Sequence, residues 1–286
     1  MAGHVTAPAA ALADGLPGWV TLLRAPNPGP MTLDGTNTWV LSPPGGRHSI
    51  VIDPGPDDAG HLTRIAAHAP VGLVLVTHGH PDHTDGVRRL HELLDGVPVL
   101  AADPAHTLAG APLAGSSWTA PVDTGCRIEL LPTPGHTGDS VCFLVEYAGE
   151  QVVFTGDTIL GRGTTVVAHP DGDLGDYLAS LELLSAYREI PALPGHGPAL
   201  ADCGAAADFY LAHRRARLDQ VRAAVAGGAG TAAEVVARVY ADVDRALWPA
   251  AEWSVRAQLA HLARDGADAG AAARESDPGV GGLDQP

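Results

Sequence analysis

Four side chains able to bind a metal, His78, His80, Asp82 and His83, are crowded into six residues of the segment Thr77-His78-Gly79-His80-Pro81-Asp82-His83-Thr84-Asp85-Gly86. The run follows an apolar, strand-like stretch (71–76) and opens onto a helical pattern (84–94), so it occupies the turn at the end of a strand. Three imidazoles and a carboxylate in that register have few structural uses. Neutral imidazole suits zinc, iron and related ions, and carboxylates complete hard or borderline sites. A chain built around such a turn must present it at the rim of a rigid sheet, where other loops can complete the site. Asp85, at the start of the following helix, reads as a structural residue or a support for the ligands.

The rest of the sequence supplies that sheet. Short β-type runs at 19–23, 38–41 and 49–53, separated by NPGP and PPGG turns, predict an opening antiparallel meander. A helix at 61–68, strands at 97–101, 127–132, 141–146 and 152–155, a hairpin turn at Gly149–Glu150, a helix at 174–187 and a strand at 190–193 follow. From Ala205 the strand signal vanishes and helices are expected at 205–226, 232–242 and 253–264. The domain reading is therefore a flexible N-terminus (1–18), a catalytic domain (19–204), a small C-terminal helical domain (205–266) and a disordered tail (267–286).

Charge narrows the partners. The chain of 286 residues has a formal charge of -16, and all 17 of its basic residues are Arg, so no lysine-dependent mechanism is available. Such acidity opposes the loose grip on nucleic acid that basic proteins obtain through phosphate contacts. Residues 205–266 are the least acidic part, with eight Arg against seven acids, and Arg214, Arg215, Arg217 and Arg222 share one predicted helix, which reads first as a solvated surface. Cys126, Cys142 and Cys203 lack metal-type spacing and read as reduced, mostly buried thiols. No signal-peptide pattern and no run of ~18 apolar residues is present, so a cytoplasmic protein without membrane attachment is expected.

The pattern His78-x-His80-x-Asp82-His83 resembles the HxHxDH signature of the metallo-β-lactamase superfamily, and the family's later ligand positions follow in order. They are His136 in Thr133-Pro134-Gly135-His136-Thr137, Asp157 in Thr155-Gly156-Asp157-Thr158 and His196 in Pro194-Gly195-His196-Gly197. The resemblance, over roughly residues 20–200, implies an α+β fold: an αβ/βα sandwich of two face-to-face sheets with helices outside. It also implies two divalent metal ions, taken as zinc, with His78, His80 and His136 on one, Asp82, His83 and His196 on the other, and Asp157 bridging. A hydroxide held between cations roughly 3.5–4 Å apart would be the nucleophile, with Asp82 as proton acceptor. His4, His48, His61, His68, His91, His106, His213 and His261 read as structural or solvated, and His169 as a residue that could overhang the site.

The segments Asn27-Pro28-Gly29-Pro30-Met31-Thr32-Leu33-Asp34-Gly35-Thr36-Asn37-Thr38, Tyr210-Leu211-Ala212-His213-Arg214 and Tyr240-Ala241-Asp242-Val243 look like the beta-lactamase-like protein 2 branch. That likeness implies a winged-helix-like character for the C-terminal domain, and single-stranded RNA as substrate of an endoribonuclease. The alternative is a thioester hydrolase of the hydroxyacylglutathione or acyl-carrier type, acting on a small-molecule ester or thioester. Strong acidity and only five Trp, five Tyr and three Phe weigh against RNA, because single strands are held by basic grooves and aromatic stacking. A homodimer is left open.

Overall fold

The computed structural model describes residues 9–12, 15–115 and 124–275. Strands β1 (Val20–Arg24), β2 (Asn37–Leu41) and β3 (Ser49–Ile52) form the expected antiparallel meander, and β4 (Val71–Leu75) and β5 (Val99–Leu100) join it in parallel. Between β3 and β4 runs α1 (Ala59–Ala66), whose first turn is capped by Asp58 accepting from the His61 amide at 2.7 Å. The ligand-rich turn after β4 contains the single helical turn α2 (Pro81–Thr84), and α3 (Val87–Leu93) follows. The sequence reading expects one helix over 84–94. Pro81 fits the first helical position, so winding begins earlier, and Gly86 interrupts it by packing its amide against the Gly55 carbonyl at 2.9 Å.

A second sheet holds β6 (Arg127–Pro132), β7 (Val141–Tyr147), β8 (Glu150–Gly156) and β9 (Ala192–Pro194) in that order. The β7–β8 turn is centred on Ala148 and Gly149, with φ of 53° and 85°, one residue before the expected Gly149–Glu150 position. Two successive left-handed residues match the strand twist of a two-residue hairpin, and the Tyr147–Glu150 pair closes it.

Alternation along the strands decides the layers. Trp39, Leu41, Ile50, Ile52, Leu73 and Leu75 face Leu130, Phe143, Val145, Phe154 and Leu193 between the sheets, all 1% exposed or less. The intervening Val40, Val51 and Val74 pack outward on α1 and α3. On the other side Leu131, Cys142 and Val153 pack against α4 (Leu174–Leu184) and the first half of α5 (Cys203–Ala226). The chain is therefore an αββα sandwich, as the sequence implied.

The second half of α5 packs with α6 (Ala232–Val239) and α7 (Trp248–Glu275) around Val221, Val235, Val236 and Val255. The change of packing partner thus falls within α5. Thr231 and Glu234 form a reciprocal capping box at the start of α6. Two expectations for the ends differ from the structure. Ala10 and Leu12 are hydrogen-bonded to Ala201 and Ala199, so part of the N-terminal segment is tied to the β9 region rather than frayed. The helix continues through 267–275, where alanine favours helix strongly enough to extend a helix already nucleated. Residues 1–8, with His4, and 276–286 of the expected tail lie outside the described residues. Among those described, no helix is long and apolar enough to cross a membrane.

Candidate metal centre

All seven residues singled out from the sequence meet at one rim of the sandwich. His78 and His80 come from the loop after β4, Asp82 and His83 from α2, and His136 from the β6–β7 loop. Asp157 leaves the end of β8, and His196 the end of β9. Their side chains form three overlapping groups, His78–His80–His136, His78–His83–Asp157 and Asp82–His83–His196, with donor atoms of each within 4.8 Å of one another. In the first, His80 Nδ1 is 3.0 Å from both His78 Nε2 and His136 Nε2. In the last, His196 Nε2 is 3.2 Å from His83 Nε2 and 3.1 Å from Asp82 Oδ2. The Asp157 carboxylate spans them, with Oδ2 3.3 Å from His196 Nε2 and 3.8 Å from His136 Nε2.

Loop geometry makes this convergence sterically demanding. Gly135 has φ of 131°, and a Cβ there would sit 2.3 Å from the backbone of Tyr177 on α4. At Gly195 a Cβ would lie 2.4 Å from Asp157 Oδ1 and 2.7 Å from the His83 ring. Glycine is required at both positions.

Surrounding groups orient the rings. The Nδ1 atom of His136 is 2.7 Å from the Val166 carbonyl, which directs Nε2 toward the cluster. Asp53, 1% exposed, accepts from the Thr77 amide and hydroxyl and from His83 Nδ1, each at 2.8 Å. Thr36 donates to Asp82 at 3.1 Å, and Asn37 Nδ2 donates to the carbonyls of Pro194 at 3.0 Å and Gly197 at 2.8 Å, tying β2 to the loop of His196. The sequence reading gave Asp53, Thr36 and Asn37 no role in the site. The available signal was an acid ending the apolar run Ser49-Ile50-Val51-Ile52 directly before Pro54-Gly55. Asp85 is exposed, and among the described residues its carboxylate makes no hydrogen bond. His169 is likewise exposed and does not line the adjoining cleft.

Electrostatics divides the cluster. Burial, reinforced by neighbouring imidazoles, pushes His78 well below the usual histidine range. Burial also takes His136 down to about 4, so both rings are neutral and offer lone pairs. Burial opposes charge on His83 and His196 too, but the surrounding carboxylates outweigh it. Asp53, Asp82 and Asp157 raise His83 to about 9, and Asp157 and Asp82 raise His196 to about 10. Those imidazolium neighbours in turn overcome burial at Asp82 and Asp157 and hold both carboxyls below the ordinary range. The donor set fits divalent cations: neutral imidazoles on one side, ionised carboxylates on the other, and a buried Asp157 Oδ1 without a hydrogen-bond partner. His83 and His196 must release protons when a cation enters.

Beside this cluster lies a cleft of about 350 Å³. It is lined by His136 and Asp157, by Met31, Leu33, Leu160 and Val166, and by Tyr240, Val243 and Leu247 of the segment joining α6 to α7 with Ala251 of α7. Arg214 also lines it and is 4% exposed, which corrects the reading of the α5 arginines as a solvated face at that residue, while Arg215 and Arg222 are exposed as expected. The other three do not form a free basic stripe. Arg215 pairs with Glu182 at 2.8 Å, Arg222 with Asp219 at 2.6 Å, and Arg217 lies over the Tyr240 ring at 4.3 Å. His61, read as structural or solvated, is buried and structural, with Nε2 2.9 Å from Thr38 Oγ1.

A two-sheet sandwich with a His/Asp cluster at its rim defines a metal-dependent hydrolase class, and the chain belongs to the metallo-beta-lactamase superfamily, whose profile matches residues 31–196. A second profile, the beta-lactamase associated winged helix domain, matches residues 231–267. Among described residues that region is helical, without strands. The chain is 31% identical over 259 residues to a beta-lactamase-like protein 2 homolog of Caenorhabditis elegans, covering 86% of this chain and 85% of that one. It is 35% identical over 223 residues to the thioesterase pkgB of Emericella nidulans, covering 74% of this chain and 61% of that one. A crystal structure of a beta-lactamase domain protein from Burkholderia ambifaria shares the fold, with a TM-score of 0.73 at 24% identity, covering 89% and 91% of the two chains.

Proposed function

We propose that this hydrolase cleaves a small-molecule thioester or ester with a largely apolar acyl part, using two divalent cations, zinc in our reading. His78, His80 and His136 would hold one cation and Asp82, His83 and His196 the other, with Asp157 between them. When bound, the cations lower the pKa of a water and polarise the scissile carbonyl. Leu33, Leu160 and Val166 would desolvate the acyl chain beside His136 and Asp157. Asp82 takes up the proton released on attack. Its support is accessibility, since its side chain is 26% exposed against 10% for Asp157.

The observation that carries this reading is the apolar cleft opening directly onto His136 and Asp157. A single-stranded RNA would need a basic track with stacking aromatics. Here the arginines of α5 are buried, stacked or neutralised, and the chain carries -16. The similarity to a thioesterase adds support. The test is turnover of a panel of acyl-pantetheine thioesters and of labelled single-stranded RNA by metal-replete protein, with identically purified His80→Ala as control. Wild-type-only thioester cleavage, with kcat reduced in Asp82→Asn at full metal content, is expected. Wild-type-only RNA cleavage without thioester turnover would overturn the reading.

A further inference from the structure

Arg214 stands out by its surroundings. Among the described residues of this acid-rich chain, eight arginines pair with a carboxylate: Arg89, Arg127, Arg162, Arg188, Arg215, Arg222, Arg256 and Arg264. Arg214, the only arginine among the described residues that is buried, pairs with none. Its contacts are neutral: Nη2 donates to the Thr165 carbonyl, and the guanidinium carbon lies 5.1 Å from the centre of the Tyr177 ring. Burial raises the Tyr177 phenol above its ordinary value, so that hydroxyl supplies no counter-charge. The buried Nε of Arg214 has no partner. A guanidinium cannot shed its proton to escape such a site, and an uncompensated buried cation is strongly unfavourable.

The guanidinium lines the same cleft as His136 and Asp157, and Asp157 is the only acid lining it. Arg162 on the same cleft is already held by Asp34 in a two-pronged pair, and Arg217 is spent on the Tyr240 ring and the Val239 carbonyl. Among the described residues Arg214 and Arg217 both line the cleft without a carboxylate partner, and of the two only Arg214 is buried, Arg217 keeping part of its surface in solvent. Beside Arg214, His213 also lines the cleft, with a buried Nδ1 that has no partner. Burial, and then Arg214 and Arg217, take His213 down to about 4, so its ring is a neutral donor at physiological pH.

We propose that Arg214, assisted by His213, is an anion subsite of the cleft, and that the substrate carries a carboxylate in addition to its scissile bond. A planar carboxylate matches the fork of a guanidinium, and its single charge matches the one buried cation that no carboxylate meets. This deepens the thioester reading. Arg214 also braces Thr165, whose hydroxyl donates to the Asp157 carbonyl at 2.5 Å, so the test must separate binding from positioning.

The experiment measures binding of hexanoate and its neutral isostere hexanamide to the metal-replete wild type, Arg214→Met and Arg214→Lys by calorimetry. In parallel it compares glutaryl- and valeryl-pantetheine, thioesters of equal chain length of which only the first ends in a carboxylate. Wild type is expected to prefer hexanoate at least tenfold and to show a KM at least tenfold lower for the glutaryl thioester. Both ratios should collapse toward one in Arg214→Met, whatever happens to kcat, and fall only partly in Arg214→Lys. A hexanoate preference that survives in Arg214→Met places the carboxylate on the metals and overturns the proposal, as does a wild type without either preference. Should Arg214→Met fail to fold, undiminished ratios in Arg214→Lys overturn it, because the fork has then been lost without effect. Hexanoate discrimination lost with Arg214, in a protein that turns over no thioester, leaves the subsite standing and removes the thioester reading. Thioester turnover indifferent to Arg214 does the reverse.

Discussion

Replacing Asp53 by Asn should weaken one metal position and spare the other. Asp53 has φ of 54°, a conformation Asn tolerates well, so the substitution adds little backbone strain. The amide oxygen can still accept from the Thr77 N–H, but the Oδ2 that accepts from Thr77 Oγ1 and His83 Nδ1 becomes an NH2. Donation from that NH2 to His83 Nδ1 would force the ring proton onto Nε2, the atom 3.2 Å from His196 Nε2 and 3.4 Å from Asp82 Oδ2. A ring protonated there cannot ligate. Loss of such a supporting carboxylate costs about 10- to 100-fold in metal affinity, or about 1.4–2.8 kcal/mol. In the assignment proposed above His83 serves one cation, with Asp82 and His196, so the loss should fall on one of two sites. Competition against a chromophoric chelator, with metal content measured by mass spectrometry, should show two tight sites in the wild type, and one tight and one weak site in Asp53→Asn. Equal weakening of both sites, or unchanged affinity, would refute this account of Asp53.

Two further outcomes follow from packing and protonation. Gly135→Ala drives a Cβ to 2.3 Å from the Tyr177 backbone at φ of 131°. The expected cost is about 3 kcal/mol or more, roughly a 5–10 °C fall in Tm by thermal denaturation, with weakened metal binding through His136. Gly149→Ala, with open space around its Cβ, should cost only about 1 kcal/mol. His61 is held neutral. Thr38 donates its hydroxyl to the Asp53 carbonyl at 2.6 Å, so it accepts from His61 Nε2, and His61 Nδ1 faces Arg64 at 3.1 Å. Burial first, and then Arg64, lower His61 from 6.5 to about 4. A depressed histidine pKa contributes stability that is full above the unfolded value and is lost as pH falls toward the folded one. Denaturant unfolding should therefore show wild type losing up to about 3 kcal/mol relative to His61→Gln between pH 7 and pH 4. Parallel pH profiles would contradict that assignment.

The sequence by itself fixed the metal-type residues and the layers that present them. Ligand chemistry is local: His78, His80, Asp82 and His83 announce themselves by type and spacing, and Trp39, Leu41, Ile50 and Ile52 announce the inner face of a sheet by alternation. Element edges were less legible where one residue changed the local geometry, as Pro81 did by starting a helical turn early, and Ala148 by taking a left-handed turn position. Only the tertiary structure decided what surrounds the ligands. Asp53 supports His83 from 30 positions away, a relation that exists because parallel pairing of β3 and β4 brings their ends side by side. Arg214 follows the same logic. In sequence it is one of four arginines on a helix, and its burial depends on α5 crossing the loop that carries Asp157. Residue type and periodicity determine which groups the chain owns and which face they take. Whether a charge meets water, a carboxylate or an apolar cleft is a property of long-range packing, which no local pattern encodes.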